Sequence, residues 1–181
     1  MQIRVLFGLL SVACAMAVAA ELPLDGTFHN TGENGQPKNW VFHPWSGFMP
    51  YAKAKVEPRG DGENNILSLR EINAASGTVI RTARRQNGIS GDTVQVLFRA
   101  RGKGTGTVTL YYYTKNGSWN RTADTLKFKL TPEWTAQSFQ FTIANGPFGE
   151  TAKFDVCLGA VKGSELDLSS IKVDLTAGKY R

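Results

Sequence analysis

Cysteine is scarce in this sequence, which holds Cys14 and Cys157 among its 181 residues. Cys14 lies in a segment that we expect to be removed, so the mature chain would retain Cys157 alone and could form no internal disulfide. Alternating apolar residues around Cys157 favour a small buried hydrophobe over a reactive thiol. A chain of this length needs no disulfide, because one core can bury roughly 70% of its unfolded surface.

Residues for catalysis are also scarce. The histidines His29 and His43 stand alone, whereas zinc sites usually draw about three or four ligands from short spacings. The acidic residues are scattered singly, mostly beside turns, although glycosidases need paired carboxylates at a fixed separation. Sequence order does not exclude a Ser-His-Asp grouping, but nothing in the sequence favours one. We therefore predict that the protein is not an enzyme.

Long apolar runs are absent after the first twenty residues. There, Arg4 precedes the apolar residues 5–10 and small residues continue to Ala20, a pattern typical of a secretory signal peptide. The run is too short for a membrane-spanning helix, which needs roughly 20 apolar residues, and we predict no transmembrane span. Cleavage after Ala20 would leave one domain, 21–181, that is periplasmic, at the cell surface or secreted. A lipoprotein anchored at Cys14 is the alternative.

Helical periodicity is missing after residue 50, where apolar residues recur at every second position as in half-buried strands. Turn signals separate these runs, above all Asn116-Gly117, which predicts a two-residue hairpin loop. Residues 31–50 show neither period, and we expect an ordered surface loop there. The sequence therefore predicts an all-β sandwich or jelly roll with little or no helix. The alternating runs lie at 94–101, 107–113, 126–130, 138–143, 154–158 and 171–175.

Several separated segments carry a family resemblance. Residues 24–28 (Leu-Asp-Gly-Thr-Phe) precede Gln-Pro-Lys-Asn-Trp at 36–40, a glycine-led strand follows at 91–101, and 130–135 read Leu-Thr-Pro-Glu-Trp-Thr. Their order, with the closing pattern at 154–175, resembles galactose-binding-domain-like jelly rolls, in particular carbohydrate-binding module families four and nine. The resemblance implies a β-sandwich jelly roll over the whole mature chain and a carbohydrate ligand.

The same resemblance implies a structural calcium ion. Members of this fold often bind it through an acidic residue after the first Phe and an Asp pair opening the last strand. This chain has His29 and Ser169-Ser170 at those places. Calcium prefers several carboxylates among its oxygen ligands, and Asp25 and Asp167, with backbone carbonyls, are the residues left to supply them.

Aromatic residues are present for sugar binding, in which rings stack on pyranose faces while polar groups fix the hydroxyls. Tyr111 and Tyr113 alternate with the predicted core residue Tyr112, although cross-strand pairing would also explain them. We expect Trp40 and Trp134 to pack, whereas a ligand contact and burial stay open for Trp45 and Trp119. We expect the outward-facing polar residues to share one sheet face with the tyrosines. The candidate ligand-binding residues are Tyr111, Tyr113, Trp119, Trp45, Arg99, Gln95 and Gln140.

Charge is unbalanced, with 21 Lys and Arg against 15 Asp and Glu and a formal net charge of +6. Such an excess either keeps the surface solvated or attracts sulfated or uronic-acid polysaccharides, whose charges pair well with Arg. Export argues against nucleic acid as a partner. Three basic groups are apparent: Lys53, Lys55 and Arg59; Arg81, Arg84 and Arg85; and Arg99, Arg101 and Lys103.

These patterns favour an exported, non-catalytic domain that recognises a poly- or oligosaccharide through aromatic stacking. The alternative is a secreted structural, adhesion or protein-interaction domain with a cell-surface protein partner and no sugar site. Asn116 and Asn120 each begin an Asn-x-Ser/Thr sequon whose modification depends on the host.

Overall fold

The computed structural model describes residues 19–32, 37–42, 52–58, 64–73, 77, 79–122 and 125–178. These segments contain thirteen β-strands and no helix. In chain order the strands are β1 (Ala19–Glu21), β2 (Trp40–Phe42), β3 (Lys53–Glu57), β4 (Ile66–Arg70), β5 (Ile80–Thr82), β6 (Gln86–Asn87), β7 (Thr93–Lys103), β8 (Thr105–Tyr113), β9 (Trp119–Thr122), β10 (Leu126–Lys129), β11 (Thr135–Thr142), β12 (Lys153–Ala160) and β13 (Glu165–Thr176).

The strands form two antiparallel sheets. The first sheet has six strands in the order β11-β7-β13-β4-β3, with β1 added beside β13. The second sheet has seven strands in the order β10-β8-β12-β5-β2, with β6 beside β12 and β9 beside β8. The predicted all-β sandwich is therefore confirmed.

One hydrophobic core lies between the sheets. Alternate residues of each long strand point into it, as the two-residue period predicts. Tyr112 and Trp40 are buried as expected, and so is Cys157. Each large apolar side chain removed from water contributes about 1.5–3 kcal/mol. The inward-facing residues of the long strands β7 and β8 include Val94, Val96, Phe98 and Ala100 of β7 and Val108, Leu110 and Tyr112 of β8.

Two local expectations were wrong. Residues Trp40–Phe42 form β2 inside the expected surface loop, because burial of Trp40 brings this segment against β5. The Asn116-Gly117 hairpin does join β8 to β9, but its loop has five residues, 114–118. A β-turn from Thr114 to Gly117 closes it, with the Gly117 amide donating to the Thr114 carbonyl at 2.9 Å and Gly117 at φ +85°. Gly117 is therefore the last residue of this turn and is not one of its two central residues.

The last strand carries a β-bulge where the chain start packs against it. Pairing between β13 and β7 shifts register between Ser169 and Lys172, and Ser170 has φ +56°. The Ile171 amide donates to the Gly26 carbonyl at 2.9 Å. A Cβ atom at Gly26 would lie 1.7 Å from the Ile171 carbonyl oxygen, so only glycine fits this contact.

Strand β1 begins two residues before the predicted cleavage position. Ala19, Ala20 and Glu21 are exposed and pair with the end of β13. The chain stays attached beyond this strand, because the Leu22 amide donates to the Val173 carbonyl at 2.8 Å. Cleavage after Ala20 would thus remove only the pairing of Ala19 and Ala20 with β13. The signal peptide itself stays a prediction, since residues 1–18 lie outside the described part of the chain.

Candidate functional site

The predicted ligand-binding residues fall on opposite sheets. Tyr111 and Tyr113 lie in β8 of the second sheet, whereas Gln95 and Arg99 lie in β7 and Gln140 in β11 of the first. The expectation that they share one sheet face is therefore wrong. Alternation in a sequence shows which residues point outward, but it does not show to which sheet a strand belongs.

Tyr113 is buried and already engaged. Its hydroxyl donates to Oδ2 of Asp155 at 2.9 Å, and the Arg85 guanidinium lies 3.7 Å from the centre of its ring. Burial and the neighbouring Asp155 raise the pKa of the Tyr113 hydroxyl. Because the ring is buried and Arg85 covers it, Tyr113 is not a stacking platform. Tyr111, on the same side of β8, is half-buried.

Asp155 is the centre of a buried polar cluster that the sequence reasoning missed. Its Oδ1 accepts from the Thr82 hydroxyl at 3.3 Å, and its Oδ2 lies 3.4 Å from Nη1 of Arg81. Burial raises the pKa of this carboxyl despite hydrogen bonds and charges that act in the opposite direction. The alternation places Asp155 away from the core, so the sequence indicated a solvated acid.

The Cys157 thiol lies on the same side of β12 and is also buried. Burial, with a smaller contribution from Asp155, raises its pKa well above the usual value. A thiol with a raised pKa is a poor nucleophile at neutral pH.

Trp119 and Phe148 form a pair of exposed aromatic rings at one end of the sandwich. Their side chains are 49% and 66% exposed, and the ring centres lie 6.3 Å apart with an angle of 52° between the planes. Trp119 begins β9, whereas Phe148 lies in the loop between β11 and β12. We call this pair the aromatic platform. Trp119 was predicted from the sequence. Phe148 was not, because it lies outside the alternating runs that predict strands and belongs to no recognisable sequence motif.

Polar loop residues border the aromatic platform. Thr114, Asn116 and Ser118 line an open cleft of about 480 Å³ together with the two rings. The Asn116 side-chain oxygen accepts from the Ser118 amide at 3.0 Å, which holds the hairpin loop in shape. Hydroxyl and amide groups therefore lie beside an apolar surface, the combination that sugar hydroxyls and C–H faces require.

Asn120 fixes the loop that carries Phe148. Its fully buried side chain donates to the Gly149 carbonyl at 3.0 Å and to the Thr151 hydroxyl at 3.1 Å. Its Oδ1 accepts from the Phe148 amide at 3.1 Å. Gly146 packs directly on it, since a Cβ there would lie 2.4 Å from Oδ1. Asn120, the acceptor of its sequon, is buried in the folded domain, whereas Asn116 of the other sequon is exposed.

The predicted calcium ligands do not fit a calcium ion. Asp167 Oδ1 lies 2.7 Å from Nη2 of Arg70 and Oδ2 lies 2.9 Å from Nε of Arg101. Burial alone would raise the pKa of Asp167, but the hydrogen bonds from Arg101, Arg70 and Ser68 outweigh it and the pKa lies below its usual value. A carboxylate neutralised by two arginines is a poor ligand for a cation.

Both carboxylate oxygens of Asp25 likewise accept hydrogen bonds from the protein itself. Its Oδ1 accepts from the Thr27 hydroxyl at 2.7 Å and its Oδ2 from the Asn30 amide at 2.6 Å. Ser170 lies within β13, where the resemblance expects an acid, and its Oγ accepts from Nδ2 of Asn64 at 2.7 Å. Within the described segments, no group of three or more His, Cys, Asp or Glu side chains is arranged to bind a metal.

Among the described residues, the outer face of the first sheet has polar and cationic side chains and no exposed aromatic ring. Trp134 is half-buried, with the guanidinium groups of Arg99 and Arg101 at 5.7 and 4.9 Å from its ring centre. Gln140 is exposed in the neighbouring strand. This face holds Trp134 by cation–π contacts and does not offer it as a platform. Trp45 and His43 lie outside the described residues.

Comparisons with known proteins establish the fold. No protein-family model and no curated relative matches the chain. The CBM22-1 xylan-binding domain of Paenibacillus barcinonensis Xyn10C is similar, with 12% identity, a TM-score of 0.54 and coverage of 91% of this chain and 99% of that one. The Stig cyclase Fisc from Fischerella sp. TAU is similar too, at 10% identity and a TM-score of 0.57 over 90% and 100%.

A third structure joins a similar module to a catalytic one. It holds the CBM22-1 and GH10 modules of Clostridium thermocellum endo-1,4-beta-D-xylanase 10B with xylohexaose, at 11% identity and a TM-score of 0.53. The match covers 78% of this chain and 26% of that one, so the chain spans about a quarter of its length. The expected likeness to carbohydrate-binding-module jelly rolls is confirmed as a fold. Identities this low establish no ligand, and the same fold occurs in a cyclase.

Proposed function

We propose that this protein is a non-catalytic carbohydrate-binding domain whose sugar site is the aromatic platform. The main observation in support is that two exposed aromatic rings, Trp119 and Phe148, lie side by side with ring centres 6.3 Å apart. Large exposed apolar surfaces of this kind mark interaction sites on soluble proteins. Pyranose rings present flat C–H faces that stack on such rings.

The surroundings of the platform suit a sugar better than a purely apolar ligand. Thr114, Asn116 and Ser118 place hydroxyl and amide groups at the border of the same cleft. Its volume of about 480 Å³ falls in the range of about 300–1,000 Å³ that small-molecule sites occupy. The likeness to modules named as xylan-binding supports the same class of ligand.

The enzyme alternative would rest on Asp155, the buried carboxyl with a raised pKa. Such groups serve as general acids where they face a substrate. Both of its oxygens already accept hydrogen bonds, from Thr82 at 3.3 Å and from Tyr113 at 2.9 Å. This occupancy favours a structural role for Asp155 and a binding function for the domain.

The other alternative is a structural, adhesion or protein-interaction domain. Exposed Trp119 and Phe148 would then contact a cell-surface protein partner. The alternatives differ in what competes for the platform. A soluble oligosaccharide displaces a glycan ligand but leaves a protein interface intact.

Affinity electrophoresis through gels that contain xylan, cellulose derivatives, mannan or dextran tests the proposal. We expect retardation by at least one polymer, and Trp119→Ala and Phe148→Ala should each weaken it about tenfold or more, equivalent to ~1.4 kcal/mol. Gln140→Ala is the matched control, because Gln140 is exposed on the opposite sheet. Retardation that persists in both platform variants would disprove the site. Its loss in Gln140→Ala would move the site to the first sheet, and its loss in Tyr111→Ala would move it to the outer side of β8 in the second sheet.

We further propose that the domain acts after export, in the periplasm, at the cell surface or outside the cell. The signal-peptide pattern of residues 1–20 supports this. In the described residues, no helix is both long and apolar enough to cross a membrane. N-terminal sequencing of the protein recovered from culture medium and cell fractions tests the proposal. A mature N-terminus at Glu21 is expected. A lipid-modified Cys14 would contradict cleavage after Ala20 but not export, whereas an intact Met1 would contradict export.

A further inference from the structure

A second concave region borders the segment between β5 and β6. This cleft of about 590 Å³ is lined by Lys38, Arg84 and Arg85, with the amide side chains of Asn39 and Gln86 between them. We call it the basic cleft. Its walls are fixed to each other, because the Ala83 amide donates to the Asn39 carbonyl at 2.9 Å and Nε2 of Gln86 donates to the Arg84 carbonyl at 2.7 Å.

The cations of the basic cleft lack the ion pairs that several basic side chains elsewhere form. Elsewhere Lys53 pairs with Glu71, and both Arg70 and Arg101 pair with Asp167. In the part of the chain that the structure describes, Lys38, Arg84 and Arg85 form no ion pair, and all three are exposed. Asp155 attracts Arg85 at longer range. Lys38 and Arg84 are therefore available to an anion from outside.

Arg85 connects the basic cleft to the aromatic platform. From the wall of the cleft its side chain extends over the Tyr113 ring, and Nη1 donates to the Gly117 carbonyl at 2.6 Å. Gly117 belongs to the same loop, 114–118, whose Thr114, Asn116 and Ser118 line the platform cleft. A single contact, between Arg85 and Gly117, thus joins a residue of the basic cleft to the loop of the platform cleft.

We propose that the basic cleft binds an acidic substituent, a carboxylate or sulfate ester, of the glycan whose neighbouring sugar stacks on the aromatic platform. This rests on the proposed function and narrows it to acidic polysaccharides. Guanidinium groups match the planar, bidentate geometry of carboxylates and sulfates, and ammonium groups add a mobile charge. The uncharged amides Asn39 and Gln86 are suited to adjacent hydroxyls.

Matched polymers that differ only in charge test this. The full chain is run through gels containing polygalacturonate or its methyl ester, and dextran sulfate or dextran. We expect the charged member of one pair to bind at least about tenfold more tightly than its neutral partner. The first pair reports a carboxylate and the second a sulfate ester. Equal retardation within both pairs would overturn the proposal.

A pair of double variants distinguishes specific binding at the basic cleft from non-specific attraction by net charge. Lys38→Ala/Arg84→Ala removes two cleft charges, whereas Lys127→Ala/Lys129→Ala removes two exposed charges from β10. Only the first should lose the preference for the charged polymer, with its circular dichroism and thermal melting unchanged. An equal loss of this preference in both double variants would show non-specific attraction by net charge and would overturn the proposal that the basic cleft is the site.

The platform variants distinguish the two proposals. If Trp119→Ala and Phe148→Ala abolish binding of charged and neutral polymers alike, the platform stands whatever the cleft variants do. Loss of charge preference in Lys38→Ala/Arg84→Ala with no effect of the platform variants would leave an anion site and disprove the sugar platform. Retention of an acidic protein or of nucleic acid in place of acidic polysaccharides would overturn the glycan assignment of the cleft.

Discussion

At the scale of single residues, Asp167 shows how an acid predicted to bind a metal serves the sheet instead. Its carboxylate joins Arg70 of β4 to Arg101 of β7 across β13, and Ser68 adds a hydrogen bond at 2.9 Å. These bonds lower the pKa of Asp167 against the opposing effect of burial. Its ionised form is therefore favoured by folding.

The sign of the resulting pH dependence follows from that lowered pKa. An unfolded Asp titrates near about 3.9, so the stability that Asp167 contributes is present above this pH and is lost as pH falls through the lower folded value. We expect Asp167→Asn to reduce the free energy of unfolding by about 1–2 kcal/mol at neutral pH, a discounted figure because both arginines are partly exposed.

Urea denaturation between pH 3 and 7 checks this prediction. The curves of the wild type and Asp167→Asn should converge below about pH 4, where the wild-type carboxyl is protonated in the unfolded chain and increasingly in the folded one. Glu133→Gln, at an exposed position, should follow the wild type throughout. A difference that stays constant with pH would mean that the ion pairs contribute nothing.

Residue-level prediction succeeded where alternation decides burial and failed where tertiary contacts decide it. Tyr112 is buried as its phase indicates. Tyr113 and Asp155 have the outward phase and are buried nonetheless, because Arg81, Arg85 and Thr82 close over that side of the second sheet. Such a cluster draws on three strands distant in sequence, and no local pattern encodes it.

At the scale of elements, the strands with clean alternation were predictable, including the four-residue β10 (Leu126–Lys129), and the other short strands were not. Strands β7, β8, β11, β12 and β13 correspond to predicted runs. Strands β2, β5 and β6 have two or three residues each, too few for a period to emerge. Their pairing is imposed by β12 and by burial of Trp40.

The loop between β11 and β12 depends on a residue outside it. Asn120, in β9, supplies three hydrogen bonds to this loop and so sets the position of Phe148 beside Trp119. We expect Asn120→Ala to lower the free energy of unfolding by about 2 kcal/mol or more, because buried partners are left unsatisfied. Glycan binding should weaken as well, although Asn120 is buried away from the ligand.

Chemical denaturation and gel retardation of the same samples check both effects. Asn87→Ala is the matched control, since Asn87 is exposed in β6 and should change neither quantity. Limited proteolysis should cut the Asn120→Ala variant faster within 145–150. A variant that loses stability but binds as tightly as the wild type would show that the loop does not need Asn120 to place Phe148.

At the scale of the whole molecule, the sandwich could be predicted because its architecture depends on many alternating residues and not on any one. The location of a binding surface could not, because it depends on which loops meet at one end of the sheets. Trp119 and Phe148 lie 29 positions apart in the sequence and meet only in the folded chain. A single exposed Phe in a loop carries no sequence signal of its own.

We expect the thermal stability of the whole domain to be independent of calcium. The positions that the family resemblance assigns to calcium ligands hold His29, Ser169 and Ser170, and Ser170 Oγ accepts from Asn64. The remaining candidates, Asp25 and Asp167, already accept hydrogen bonds from Thr27, Asn30 and two arginines. Hydrogen bonds thus take the place of metal coordination where the chain start meets β13.

A structural calcium ion at a hundred times its dissociation constant would stabilise the fold by about 2.7 kcal/mol. For a domain of this size that corresponds to a rise in Tm of roughly 5–10 °C. We expect instead that differential scanning calorimetry gives the same Tm with calcium and with chelator, at low and at moderate ionic strength. A rise in Tm with calcium but not with magnesium would contradict this and show that Asp25 and Asp167 exchange their protein partners for the ion.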